Sequence, residues 1–184
     1  GIDMCGGRDI DVAIYDKIVK PWLEQNFKID FTKEKYRTIK IRACKAIEDA
    51  KIELSKESTK IVSLEEDMNI CDEEGNDIFL DIDLNQTILN DILKHTIDVT
   101  VEETLKNIKE ANLTVKDFAK IVFVGGPTMY PKLREEVSKR LEIPYENDVD
   151  PMTVVATGAS IYAESIEWNA EQQEKKTNID TIQM

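Results

Sequence analysis

A chain of 184 residues with 41% hydrophobic and 33% charged side chains holds enough apolar material for one substantial core or two small subdomains sharing a seam. Its formal net charge of −13 opposes nucleic-acid phosphate, whose binding needs a basic patch, and its apolar runs are far too short to span a bilayer. Cys5, Cys44 and Cys71 are odd in number and share no Cys-x-x-Cys spacing, which implies a reducing compartment, and the single His95 stands apart from any metal-ligand pattern.

In chain order, the Gly6-Gly7 turn leads into a helix predicted over residues 10–24, with Ile10, Ala13, Ile14 and Ile18 on one side. Pro21 is expected to kink that helix or end it early. A connector follows, then a long helix over residues 32–55. Its buried stripe is Tyr36, Ile39, Ala43, Ile47, Ala50 and Leu54, at spacings of three and four. Three short strands are predicted at 59–64, 67–71 and 77–82, the last two joined by a turn through Gly75-Asn76. Helix returns over 85–111, with a break expected at 98–100, where β-branched and capping residues gather. Thr114 to Asp117 approximates a capping box. The run Ile121-Val122-Phe123-Val124 reads as a fully buried strand, stopped by Gly125-Gly126. Pro131 then opens a helix through Leu133, Val137 and Leu141. A loop over 141–150 precedes a helix predicted at 153–167. Its inner face is Val155, Ala159, Tyr162 and Ile166, and Gly158-Ala159-Ser160 permits close packing. A polar tail follows from Trp168.

Two of these elements carry chemistry. A strand ending in Gly125-Gly126 beneath a helix start lets a ligand approach bare backbone, although a tight turn of positive φ needs the same glycines. Glu48, Lys51 and Ser55 lie at i, i+3 and i+7 and project from one side of their helix. A carboxylate, an ammonium and a hydroxyl on one edge suit the hydroxyls and ring nitrogens of a nucleoside. A solvated Glu-Lys pair with a Ser near a helix end has the same spacing, and the two readings stay open on these residues alone.

Four stretches, in order, resemble the nucleotide-binding domain of Hsp70 (DnaK-type) chaperones in the actin-like ATPase superfamily. Residues 4–11, Met-Cys-Gly-Gly-Arg-Asp-Ile-Asp, are similar to the family's Leu-Gly-Gly-Glu-Asp-Phe-Asp turn. Residues 48–55, Glu-Asp-Ala-Lys-Ile-Glu-Leu-Ser, resemble its adenosine-contacting helix. Residues 124–131, Val-Gly-Gly-Pro-Thr-Met-Tyr-Pro, resemble its Val-Gly-Gly-x-x-Arg-x-Pro motif. Residues 150–159 resemble the Asn-Pro-Asp-Glu-x-Val-Ala-x-Gly-Ala helix that follows.

The resemblance implies a mixed α/β lobe of the actin-like type: part of subdomain IIA, with a mixed sheet and helices, and subdomain IIB, helical with a small antiparallel meander. Its layout would place 1–5 at the end of the first part of IIA, 6–83 in IIB, 84–167 in the rest of IIA, and 168–184 in a tail toward an interdomain linker. The family's phosphate loops and magnesium ligands lie upstream of anything matched, so the chain is read as an excised piece. The resemblance implies no catalytic residue and no metal ligand within it. It does imply an adenosine half-site, for the ATP or ADP that the parent binds with Mg2+. Gly7, Glu48, Lys51 and Ser55 would take one side, Gly125, Gly126 and Pro127 the other, and Ile52 and Met129 would flank the ring.

Partners implied for the parent are its own first lobe, a nucleotide-exchange factor, a J-domain co-chaperone and unfolded peptide clients bound through a separate domain, all in the cytoplasm. Met129 stands where the family carries a cation that lies along the adenine, and Met152 where it carries an aspartate. Residues 84–89 replace a Thr-Arg-x-x-Phe-Glu segment. These departures keep open an interaction module with a vestigial nucleotide site, which binds the exchange partner. A lobe of another actin-like ATPase is the other alternative.

Overall fold

The structure, a computed structural model, describes residues 6–56 and 60–166. The N-terminal helical segment comprises α1 (Gly7–Ile14), a π-helical stretch (Tyr15–Val19) and α2 (Lys20–Asn26). Pro21 does not end it. The Lys20 N–H reaches back five residues to the Tyr15 carbonyl, so the ladder widens just ahead of the proline, and the chain stays helical to Asn26. A short 3-10 turn (Glu34–Tyr36) opens α3 (Arg37–Leu54), and every residue of the predicted stripe from Tyr36 to Leu54 is buried.

α3 lies across a two-stranded antiparallel hairpin, β1 (Ile61–Cys71) and β2 (Asp77–Asn85). Alternation puts Leu64, Met68, Ile78, Leu80, Ile82 and Leu84 on the inner face, and all are buried. The expected meander of three strands is corrected here: residues 61–71 form one continuous strand. Glu65-Glu66-Asp67 does not interrupt it, and the irregularity is a bulge just beyond. Pairing runs regularly to Asp67↔Phe79 and resumes at Cys71↔Asp77, with Asn69 at φ 53 between them. Glu65 and Asp67 face outward, and Glu66, on the inner face between Leu64 and Met68, is half-buried and pairs with Arg42.

α4 (Gln86–Glu110) starts at an Asn85 cap, whose side chain accepts the Ile88 N–H at 2.9 Å. The break expected at 98–100 does not occur. Thr100 and Thr104 donate their hydroxyls to carbonyls one turn back, at 2.7 Å each, while Ile97 and Val101 are buried, so packing overrides weak local propensity. α4 packs on α1 and on α5 (Pro131–Leu141), whose Leu133, Val137 and Leu141 are buried. Between them Asp117 accepts both the N–H and the hydroxyl of Thr114, at 2.7 and 2.9 Å, as the capping pattern predicted.

The buried strand at 121–124 is also corrected. Only Ile121 pairs, as an isolated parallel bridge to Tyr145, and Val122 and Val124 are about half exposed, at 49% and 48%. No other strand of the described residues lies beside this run, and a parallel-sheet strand needs neighbours on its edges and cover on both faces. α6 (residues 154–166) is helical as predicted, but its expected inner face is not covered within the described residues. Val155, Tyr162 and Ile166 are exposed, and a side chain at Gly158 would meet nothing within 4 Å. The expectations for residues 1–5 and 168–184 lie outside the described residues.

The hairpin turn is tied to the connector after α2 by two carboxylates. Asp72 accepts N–H groups from Lys28, Glu74 and Asn76 at 2.8–3.1 Å. Burial opposes its ionisation, but these donors outweigh burial and bring its pKa down to about 2. Glu73 is brought down to about 2 by Lys33, then Lys35 and the Tyr36 hydroxyl, the last two at 2.8 and 2.6 Å. Both pKa values are depressed by folding, so the stability they contribute is complete above the ordinary carboxylate range. It is lost as pH falls from about 4 toward 2. Amide exchange should show protection at Lys28 and Asn76 falling across that interval. Combining Asp72→Asn with Glu73→Gln should remove the step, and an unchanged acid step in the double variant would contradict this account.

Candidate functional site

The start of α1, the last turns of α3 and the Gly125-Gly126 turn supply the predicted site residues. Gly6 caps α1, its N–H donating to Asp9 at 2.7 Å. That places Gly7 in the first turn, where its carbonyl accepts the Lys51 ammonium at 3.0 Å. A β-carbon on Gly7 would lie 3.4 Å from the Pro127 ring and 3.7 Å from Lys51 Nζ. Gly7, Lys51 and Pro127, from three distant parts of the chain, thus meet at one point.

The other predicted residues sit around this junction with partners of their own. The Glu48 carboxylate pairs with Lys45 at 3.0 Å, and Lys45 also reaches Asp49 at 3.0 Å. The Ser55 hydroxyl donates to the Ile52 carbonyl at 2.6 Å, while the Ile52 and Met129 side chains are exposed. Of the three polar residues predicted on one helix edge, Lys51 alone is drawn into the junction.

Sequence reasoning missed Asp11. Its carboxylate is buried and lies 2.5 Å from Lys51 Nζ. Burial pushes its pKa up, against the opposing pull of Lys51. A buried carboxylate calls for a cationic partner, and Asp11 follows a Gly-Gly turn, but nothing local to either residue names a lysine 40 positions away as that partner.

The two glycines of the turn differ in kind. Gly125 has φ 95 and ψ 163, a region of backbone space that is essentially reserved for glycine. Gly126 has no positive φ, and a β-carbon there would meet nothing within 4 Å. Conformation therefore explains the first glycine and leaves the second unexplained. Thr128 closes the turn, its hydroxyl donating to the Gly125 carbonyl at 2.7 Å.

Two surface depressions lie elsewhere. One, of about 240 Å³, is between α4 and α5 beside Leu93, Ile97 and Arg140, and the other, of about 450 Å³, is on the hairpin beside Glu65, Phe79 and Asp81. Neither is lined by a predicted site residue. Among the described residues no group of three or more His, Cys, Asp or Glu side chains is placed to hold a metal ion, and no helix is long and apolar enough to cross a membrane.

Comparison with known proteins gives a family and two relatives. A family model described as "Hsp70 protein" matches residues 2–178. A chaperone protein DnaK of Cenarchaeum symbiosum is 33% identical over 166 residues, covering 89% of this chain and 24% of that protein. A chaperone protein DnaK of Nitrosopumilus maritimus is 31% identical over 167 residues, covering 89% and 25%. The chain spans about a quarter of the length of these curated relatives.

The contrast between the glycines sets an expectation for folding. Gly125→Ala should destabilise the chain by about 1–3 kcal/mol despite the open space around it. Gly126→Ala and Gly7→Ala should stay within about 1 kcal/mol of the parent. Denaturant midpoints measure this, and equal losses at Gly125 and Gly126 would refute the distinction.

Proposed function

The chain belongs to the Hsp70 family, and from that premise we propose that it is the second lobe of an Hsp70-type nucleotide-binding domain and contributes the adenosine side of its cleft. The observation that carries this reading is Gly126, a glycine that no backbone strain requires, next to the Pro127 that meets Gly7 and Lys51. Bare backbone on one side and a partly buried ammonium on the other suit a flat polar ligand, which a side chain at either glycine would crowd.

In this proposal Lys51, Glu48 and Ser55 hydrogen-bond the nucleoside, Gly7, Gly125, Gly126 and Pro127 border it, and Ile52 and Met129 lie along its ring. Hydrolysis of ATP to ADP and phosphate would be the energy source of the parent chaperone, with Mg2+ held by residues other than these. The lobe itself binds and orients. The parent would be a cytoplasmic ATP-dependent chaperone that works on unfolded peptide with J-domain and nucleotide-exchange partners. One observation favours a second reading, a vestigial site in an interaction module. Two of the three Lys51 N–H donors are already taken by Asp11 and the Gly7 carbonyl, and Met129 brings no cation to the ring face.

NMR titration of the chain with ADP separates the two. The adenosine reading expects an affinity on the order of millimolar, about 4 kcal/mol, from one-sided burial of a small ligand. Shifts should cluster at Lys51, Ser55, Gly125 and Gly126, and Met129→Arg should tighten binding by roughly 0.5–2 kcal/mol. Shifts confined to residues 65–77, or none even with Met129→Arg, would instead support the interaction module.

A further inference from the structure

Two acidic side chains of the described residues are buried, Asp11 and Asp72. Asp72 is explained by the N–H donors of the hairpin turn it closes. Asp11 has a different kind of partner: the Lys51 ammonium, at 2.5 Å from its Oδ1, with the two side chains only 8% and 16% exposed. A buried ion pair contributes little net stability, because removing both charges from water offsets their attraction. It does fix where the charges sit.

An ammonium has three N–H donors on a flexible four-carbon stem. Two are taken here, one by Asp11 and one by the Gly7 carbonyl at 3.0 Å, which leaves one at the junction of Gly7 and Pro127. Glu48, one turn earlier on α3, is placed to compete for the same ammonium, and its charge acts on Asp11 as well. Asp11 decides that contest from the other helix. It also cancels the Lys51 charge, so the junction presents a fixed donor without a free cation.

We propose that Asp11 is the positioning and specificity-determining residue of this site: it pins the Lys51 ammonium against the Gly7 backbone and neutralises it, so that the junction takes a neutral nucleoside hydroxyl in preference to a phosphate. This rests on the adenosine reading above. Asp11 does not touch the ligand; it acts through Lys51.

The test is a set of NMR titrations with adenosine and with ADP, on the full chain and on Asp11→Asn, Lys51→Ala and the double variant. Amide spectra report whether each is folded. Asp11→Asn should weaken adenosine about three- to tenfold, while ADP should lose less or gain, because the freed ammonium now attracts phosphate. In the Lys51→Ala background Asp11→Asn should have no further effect on adenosine. A purely structural role for Asp11 predicts parallel losses for both ligands that persist without Lys51, and that result would overturn the proposal while leaving the adenosine reading intact. No binding of either ligand to the parent chain would overturn the adenosine reading and the proposal together. The Lys51 Nζ resonance of the unsubstituted chain gives an answer even if Asp11→Asn does not fold. A slowly exchanging, hydrogen-bonded ammonium is expected, and a freely exchanging one would refute the pinning.

Discussion

The apolar stripe of α3 has to be buried on more than one side, and the arrangement of the N-terminal half follows from that requirement. Its buried residues, from Ile39 to Leu54, meet the inner face of the hairpin and also α1 with the π-helical stretch that follows it. A two-stranded hairpin is marginal by itself in water, so β1 and β2 depend on α3 for their cover as much as α3 depends on them. The same packing sets the relation of α1 to the last turns of α3. Gly7 and Lys51 come within hydrogen-bond distance because the helices that carry them share a core.

The C-terminal half meets a different constraint. α4 and α5 bury a shared seam and are joined further by Arg140–Asp98 at 2.5 Å and by the Tyr130 hydroxyl on Asn90 at 3.1 Å. The 121–124 run has no such support. Its backbone is held at Ile121 by bonds to the Pro144–Glu146 segment; Ile121 and Phe123 pack against the core, while Val122 and Val124 remain half in solvent. Val155, Tyr162 and Ile166 of α6 are likewise exposed among the described residues, and the Gly125 N–H donates to the Pro151 carbonyl just ahead of that helix at 2.9 Å.

At the junction, charge is balanced inside the protein before any ligand is considered. The Lys51 ammonium is engaged by a carboxylate and a carbonyl, and Glu48 and Ser55 by neighbours on their own helix. The open features are the Gly126 backbone and the exposed Ile52 and Met129 side chains. Such a surface has shape and apolar contact to offer and little unspent charge.

Much of this was legible in the sequence because helix and strand periods are local. The α3 stripe, the alternation of β2, the Thr114–Asp117 cap and the Pro131 helix start all follow from residues within a few positions of one another. The errors came where a distant partner decides. Thr100 was absorbed by the burial of its neighbours and Glu65 to Asp67 by the cover that α3 gives β1, whereas Pro21 was absorbed locally, by a widened turn. The family motifs named Gly7, Lys51 and Gly125-Gly126 as site candidates from chain order alone. Which glycine is conformational and which is open, whether the 121–124 run is covered, and the choice of Asp11 over Glu48 as the partner of Lys51 were decided only in three dimensions. Burial and charge pairing depend on groups that the chain brings together from tens of residues apart, and periodicity carries no record of them.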